Sequence, residues 1–248
     1  MKWLRYSAPL IVLLTAWETS AVFWPEFSFF YGRPSSIALD AVADFRSGAL
    51  VRDFGITASE AILGFLIGSA LGLAVSVLFS LSRMVASSAR PYLVFLGAIP
   101  VAALAPLTIL WFGAGYWSKV GVAALSTVIF ATAESLRAIS DGDREYLELA
   151  KTYGASKWRT YRYLSLPMAL TAIIASWRTN IALAVIGAFV GEFIASEYGL
   201  GRYILKASAL YDAPRVLLGV ILIGVLALLL NGIVDQIELM LQPWRKNE

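Results

Sequence analysis

Among the charged side chains set in or beside long apolar stretches of the sequence are Glu134, Arg178 and Glu192. A charge at membrane depth costs several kcal/mol, by order of magnitude, unless it faces water, a counter-charge or a passing solute. These residues therefore point to a structural ion pair or a polar path through a bilayer. Acid/base, thiol and metal chemistry have little to work with. Histidine and cysteine are both absent, which removes the commonest proton carrier, thiolate nucleophiles and most metal ligands. None of the 19 glycines is followed by lysine, so the chain lacks the phosphate loop that cradles ATP. No catalytic residue and no metal ligand is expected.

Outside the apolar stretches, residues 141–166 form a charged, helix-forming island. Asp143 suits an N-cap, a helix follows from about Arg144 to Tyr153, and Gly154 supplies a left-handed stop. Tyr146, Leu149, Ala150 and Tyr153 fall on one apolar stripe. A second short helix is expected from Ser156 toward Leu164, with Trp158 and Tyr161 on one face. Pro167 suits the first turn of the span that follows. A merely solvated loop explains the basic residues here but not an apolar stripe pointing away from the membrane. A docking surface explains both.

The elements that carry these residues follow from composition. The 248 residues are 59% hydrophobic and 15% charged, with mean hydropathy +0.72, well below the roughly one quarter charged of soluble domains. A single all-α membrane domain is expected over residues 1–248. Spans are placed at about 7–24, 57–82, 92–114, 117–138, 167–190 and 215–240, since about 20 apolar residues cross the hydrocarbon. The first is read as an uncleaved helix. With both termini cytoplasmic, twelve Lys and Arg fall inside against seven outside, which favours that orientation. The net charge of +3 is read as this topology signal, with no nucleic-acid partner. Gly64, Gly68 and Gly72 recur at intervals of four and are expected to pack against another helix. Pro100 and Pro106 are expected to kink or interrupt the third span. Asp40, Val42, Asp44 and Phe45 form a short amphipathic pattern suited to the outer interface.

Within the island, Glu148-Leu149-Ala150, Gly154 and Leu164-Ser165-Leu166-Pro167 match the spacing of the EAA loop, with Leu149 and Leu164 replacing its usual Ala and Ile. The chain thereby resembles permease subunits of binding-protein-dependent ABC importers. Ile99-Pro100, Ala105-Pro106-Leu107, Leu110-Trp111-Phe112-Gly113, Ser118-Lys119, and Glu192 with Gly199-Leu200-Gly201 are similar to the nitrate, sulfonate and taurine branch. The resemblance implies a type I importer permease fold with about six transmembrane helices, in the bacterial inner membrane. It implies a homodimer, a separate ATPase that holds ATP and Mg, a periplasmic solute-binding protein and lipid contacts. Glu148, Leu149, Ala150, Gly154, Ala155, Trp158, Leu164 and Pro167 would couple to the ATPase. Trp177, Arg178, Asn180 and Glu192 would line the path of a small, anionic solute. Arg178 is placed near mid-membrane, about 16 Å of helix rise past Pro167, where it either attracts an anion or pairs with Glu192 or Glu134. A secondary transporter or channel is the rival reading, but it needs no such island. An intramembrane enzyme lacks an obvious Ser/Lys or Asp/Asp pair.

Overall fold

A computed structural model describes residues 2–140, 148–150 and 152–241, and these contain helices but no strand. The helices are α1 (Lys2–Phe23), α2 (Pro25–Tyr31), α3 (Pro34–Arg46), α4 (Ala49–Ser80), α5 (Arg83–Gly97), α6 (Val101–Phe112) and α7 (Tyr116–Ser140). Beyond the island come α8 (Lys157–Thr160), a π turn over Tyr161–Ser165, α9 (Leu166–Ala195), α10 (Leu200–Ala209) and α11 (Ala213–Leu241).

Helix α7 is the centre of the bundle, held between α4 and α9. Small residues permit this. A Cβ on Gly64 would collide with the Ala123 methyl, and one on Gly72 would lie 2.6 Å from the Ala131 methyl. The glycine ladder thus packs within the bundle as expected. Helix α9 uses Gly187 and Gly191 in the same way against Ala123 and Lys119 of α7. In lipid, where apolar surface alone does not drive helices together, such close approach is a main source of packing energy. The core contains Ala61, Phe65, Ala123, Ala184, Val185 and Leu226, all buried.

Among the described residues, four helices are long and apolar enough to cross a membrane: Ala49–Ser80, Tyr116–Ser140, Pro167–Ala195 and Ala213–Leu241. The expected third span is broken. Met84–Gly97 and Val101–Phe112 meet at 92°, because Pro100 has no amide hydrogen to continue the ladder and α6 restarts immediately after it. Counted as one span, this bent pair brings the number of crossings among the described residues to five. The expected first span is helical as far as Phe23, within the 22-residue helix Lys2–Phe23, and among the described side chains its apolar stretch is Ile11–Phe23.

The segment between the first two expected spans folds into α2 and α3. Helix α3 is clamped by Arg215, which contacts Asp40 at 3.1 Å, Asp44 at 3.0 Å and Asp212 at 2.6 Å. Tyr203 donates to Asp44 at 2.7 Å. Burial, reinforced by that hydrogen bond, raises the Tyr203 phenol above its ordinary pKa. The opposite side of α3 leaves Leu39, Val42 and Phe45 exposed, so the amphipathic pattern is real and helical.

Candidate functional site

The island begins, among the described residues, with helical Glu148, Leu149 and Ala150. The expected N-cap Asp143, the helix start at Arg144 and the stripe residue Tyr146 lie outside the described residues. Tyr153 donates its amide to Leu149 at 3.1 Å and Ala155 donates to Ala150 at 3.0 Å. With Gly154 at φ +73°, this six-to-one bond is a Schellman stop, in which a left-handed glycine lets the chain cover the last carbonyls. Nothing lies within 4 Å of where a Gly154 Cβ would be, so the glycine is required by backbone conformation rather than by space.

The chain restarts at Ser156. Its carbonyl accepts from Thr160 at 2.9 Å, and its hydroxyl accepts weakly from the Arg159 amide at 3.4 Å. Helix α8 then runs through the π turn into α9 without a gap. A π turn widens the helix by one residue, and here it comes just ahead of Pro167, whose ring disturbs the preceding turn. Glu148, Leu149 and Pro167 are exposed, Ala150, Ala155 and Leu164 are half-buried, and the Trp158 side chain lies outside the described residues. Leu149 is 52% and Tyr153 83% exposed. The segment therefore presents apolar side chains to its surroundings on a helix with a defined stop.

The four residues expected along the path have different fates. Arg178 is half exposed, with Nε 2.7 Å from Asp235 Oδ1, off the hydrogen-bond direction, and NH2 2.9 Å from Glu238. Its partners are thus on α11 rather than the expected Glu192 or Glu134. Asp235 and Glu238 belong to the last two turns of α11, beyond the apolar run that ends at Val234. Arg178 itself stands eleven residues past Pro167, within the apolar helix Pro167–Ala195. Trp177 packs edge-on against Phe65 with ring centres 6.2 Å apart. Asn180 is buried, and its backbone carbonyl lies 3.5 Å from the Thr127 hydroxyl.

Glu192, expected to line the path, is fully buried and instead closes the corner between α9 and α10. Its Oε1 accepts from Thr57 at 2.6 Å, and its Oε2 accepts from the Gly201 amide at 2.6 Å. The Leu200 amide donates to Thr57 at 2.9 Å. The carboxylate thus meets the amides that open α10, where a negative charge is favoured. Gly199, at φ +103°, leaves the space that the carboxylate fills. Arg52 of α4 stacks on Tyr198 in the same corner, 4.3 Å from the ring centre. Beside it, Glu60 is buried in α4 and Lys119 in α7. Lys119 donates to the carbonyls of Ala114 and Gly115, the latter at 3.0 Å. Glu60 and Lys119 were not singled out from their own chemistry, although charged residues within apolar spans are the signal that marked Arg178.

Comparison with known proteins agrees with this architecture. A family model described as "Binding-protein-dependent transport system inner membrane component" matches residues 53–247. The riboflavin transport system permease protein RibX of Chloroflexus aurantiacus is 34% identical over 95% of this chain and 88% of its own length. The formylaminopyrimidine transport permease protein ThiX of Halalkalibacterium halodurans is 30% identical over 96% of this chain and 94% of its own. A putative aliphatic sulfonates transport permease protein, SsuC of Bacillus subtilis, is 29% identical over 86% and 78%. Among solved structures, an amino acid ABC transporter superposes with TM-score 0.62 at 19% identity, covering 81% of this chain and 95% of that one. An inward-facing MetNI methionine ABC transporter gives 0.60 at 20%, covering 77% and 97%. The all-helical fold is that of an ABC importer permease, and the chain belongs to the family of binding-protein-dependent transport system inner membrane components.

Proposed function

We propose that two copies of this chain form the path of an ABC importer and that residues 148–167 couple it to a separate ATPase, which supplies ATP and Mg. The observation that carries this reading is the exposed pair Leu149 and Tyr153 at a helix end closed by Gly154, two residues ahead of the restart that runs through α8 and the π turn into α9. A push on that surface passes across the Gly154 turn into α8 and from there along a gapless helical run to the bundle. In this reading the island and both termini are cytoplasmic, and a periplasmic solute-binding protein delivers the solute to the opposite face. Glu148, Ala150, Ala155, Trp158, Leu164 and Pro167 complete the docking segment. Of the four residues expected on the path, Arg178 is the one assigned to its surface. Trp177, Asn180 and Glu192 support it from within the bundle.

For the solute, an uncharged heteroaromatic compound is the first reading. Arg178 meets two carboxylates, so this cluster carries a net charge of about −1 with all three groups ionised and does not attract anions. Relatives named for riboflavin and formylaminopyrimidine transport support the same class. The second reading is a small anion such as nitrate, a sulfonate or taurine, supported by the relatives named for sulfonate transport. The test is uptake by proteoliposomes holding the permease, its ATPase and its receptor, offered riboflavin, formylaminopyrimidine or an alkanesulfonate. Accumulation of the sulfonate alone would reject the first reading. ATP-independent accumulation of any of them would reject an ABC importer in favour of a gradient-driven carrier.

A further inference from the structure

The break between α5 and α6 opens onto a cavity of about 260 Å³. Its walls include Ala98 and Pro100 of the break, Leu104 of α6, Ser126 and Ile129 of α7, and Leu183 of α9. Ser126 and Ile129 are near the middle of α7, and Leu183 is near the middle of α9. The opened backbone therefore lies level with the middle of two helices long and apolar enough to cross a membrane. Irregular backbone is tolerated at that depth only where it is buried in protein or lines an aqueous cavity, because lipid cannot satisfy its polar groups. Helix α6 starts at this wall with no side-chain cap; the Ala103 amide turns back to the Pro100 carbonyl at 2.9 Å, which leaves the amide of Val101, on the cavity wall, in need of an acceptor. Ser126 donates to Val122 at 2.7 Å and retains acceptor capacity at its hydroxyl oxygen.

No lining residue is charged. An anion would be desolvated there without a counter-charge, at a cost of several kcal/mol by order of magnitude. An acyl chain would fill the apolar part but leave the amide of the break unanswered. A flat, uncharged heteroaromatic ring meets both demands, with an apolar face for Ile129 and Leu183 and edge acceptors for the backbone. The volume falls slightly below the roughly 300–1,000 Å³ of sites for drug-sized ligands, which suits one ring system rather than a whole larger molecule.

We propose that the cavity at the α5–α6 break binds the uncharged heteroaromatic ring of the solute during transport. Broken helices that line a midplane site are a recurring solution in transporters. This inference rests on the importer reading and adds to it a solute class and a location.

The probe is lumiflavin, a fluorescent flat heteroaromatic, titrated into the purified full-length permease in lipid nanodiscs. Ile129→Trp and Leu104→Trp fill the cavity from two different helices, and Ile129→Ala enlarges it. The expected result is saturable binding to the wild type, weakened at least tenfold by either Trp variant and held within about threefold by Ile129→Ala. Each variant is also tested for ATPase docking, which is expected to be unchanged and confirms an assembled fold. Absence of saturable binding to the wild type overturns the proposal, as it would if an acyl chain held the cavity. Binding undiminished in a Trp variant that docks its ATPase overturns it as well. The titration needs no ATPase, so its failure is distinct from failure of the importer reading, which the docking arm measures.

Discussion

Thr57 Oγ1 and Glu192 Oε1 stand 2.6 Å apart across the interface of α4 and α9. The same Thr57 oxygen accepts the Leu200 amide that begins α10. One hydroxyl thus ties three helices at the corner farthest along α9 from the coupling segment. Thr57→Val keeps the shape and removes the hydroxyl. It leaves one buried carboxylate oxygen and one buried amide unpaired, each worth about 1–3 kcal/mol. We expect a lower melting temperature for the purified protein, while Thr57→Ser stays close to wild type. An unchanged melting curve for Thr57→Val contradicts the latch.

Gly154 tests the stop of the first island helix. Its positive φ means that a β-branched side chain costs roughly 1 kcal/mol or more, although the space around it is open. Gly154→Val is expected to insert and fold with little change in global melting, yet to lose stimulation of the ATPase in reconstituted complex. Gly154→Asn, which tolerates the left-handed conformation better, is expected to retain most of it. Equal stimulation in wild type and Gly154→Val contradicts the requirement.

Arg178 is expected to behave as one member of a triad with Asp235 and Glu238. The Glu238 side chain is only 4% exposed, so Arg178→Ala removes a charged partner from a buried carboxylate and should cost about 1.5–3 kcal/mol, the range for hydrogen bonds to charged groups. Arg178→Ala combined with Glu238→Gln should recover part of that loss in melting experiments. A double variant no more stable than the single one contradicts the pairing. Uptake measured beside melting separates the structural task from a role on the path.

Orientation follows from the positive-inside bias and can be read by labelling. Because the chain has no cysteine, Ser156→Cys and Ser36→Cys each provide a single reactive site. Ser156→Cys is expected to react with an impermeant thiol reagent only from the cytoplasm, and Ser36→Cys only from outside. Reversed labelling contradicts the topology.

Much of this architecture was legible in local sequence. Gly64, Gly68 and Gly72 announced their packing by spacing, and Gly154 announced a helix stop by residue type. Gly187 and Gly191 carry the same interval of four and went unread, although they bring α9 against α7. Pro100 signalled an interruption, but the 92° bend depends on how α5 and α6 each find partners along α7. Tertiary pairing was the illegible part. The Glu192 latch joins residues 135 positions apart. Arg178 found its carboxylates 57 and 60 positions later, on a helix whose packing against α9 no local pattern announces.

The central claim is that the exposed face of Leu149 and Tyr153 is where an ATPase docks. The most direct measurement is site-specific cross-linking in the reconstituted complex. Leu149→Cys is paired with cysteines introduced around the ATPase surface that copurifies with the permease, and receptor-stimulated ATP hydrolysis is followed in parallel. The account predicts a disulfide at Leu149→Cys that forms with the ATPase, and loss of stimulated hydrolysis in Leu149→Asp, whose new charge opposes an apolar contact. A complex in which Leu149→Cys stays fully reactive to solvent reagents and Leu149→Asp couples normally would contradict it.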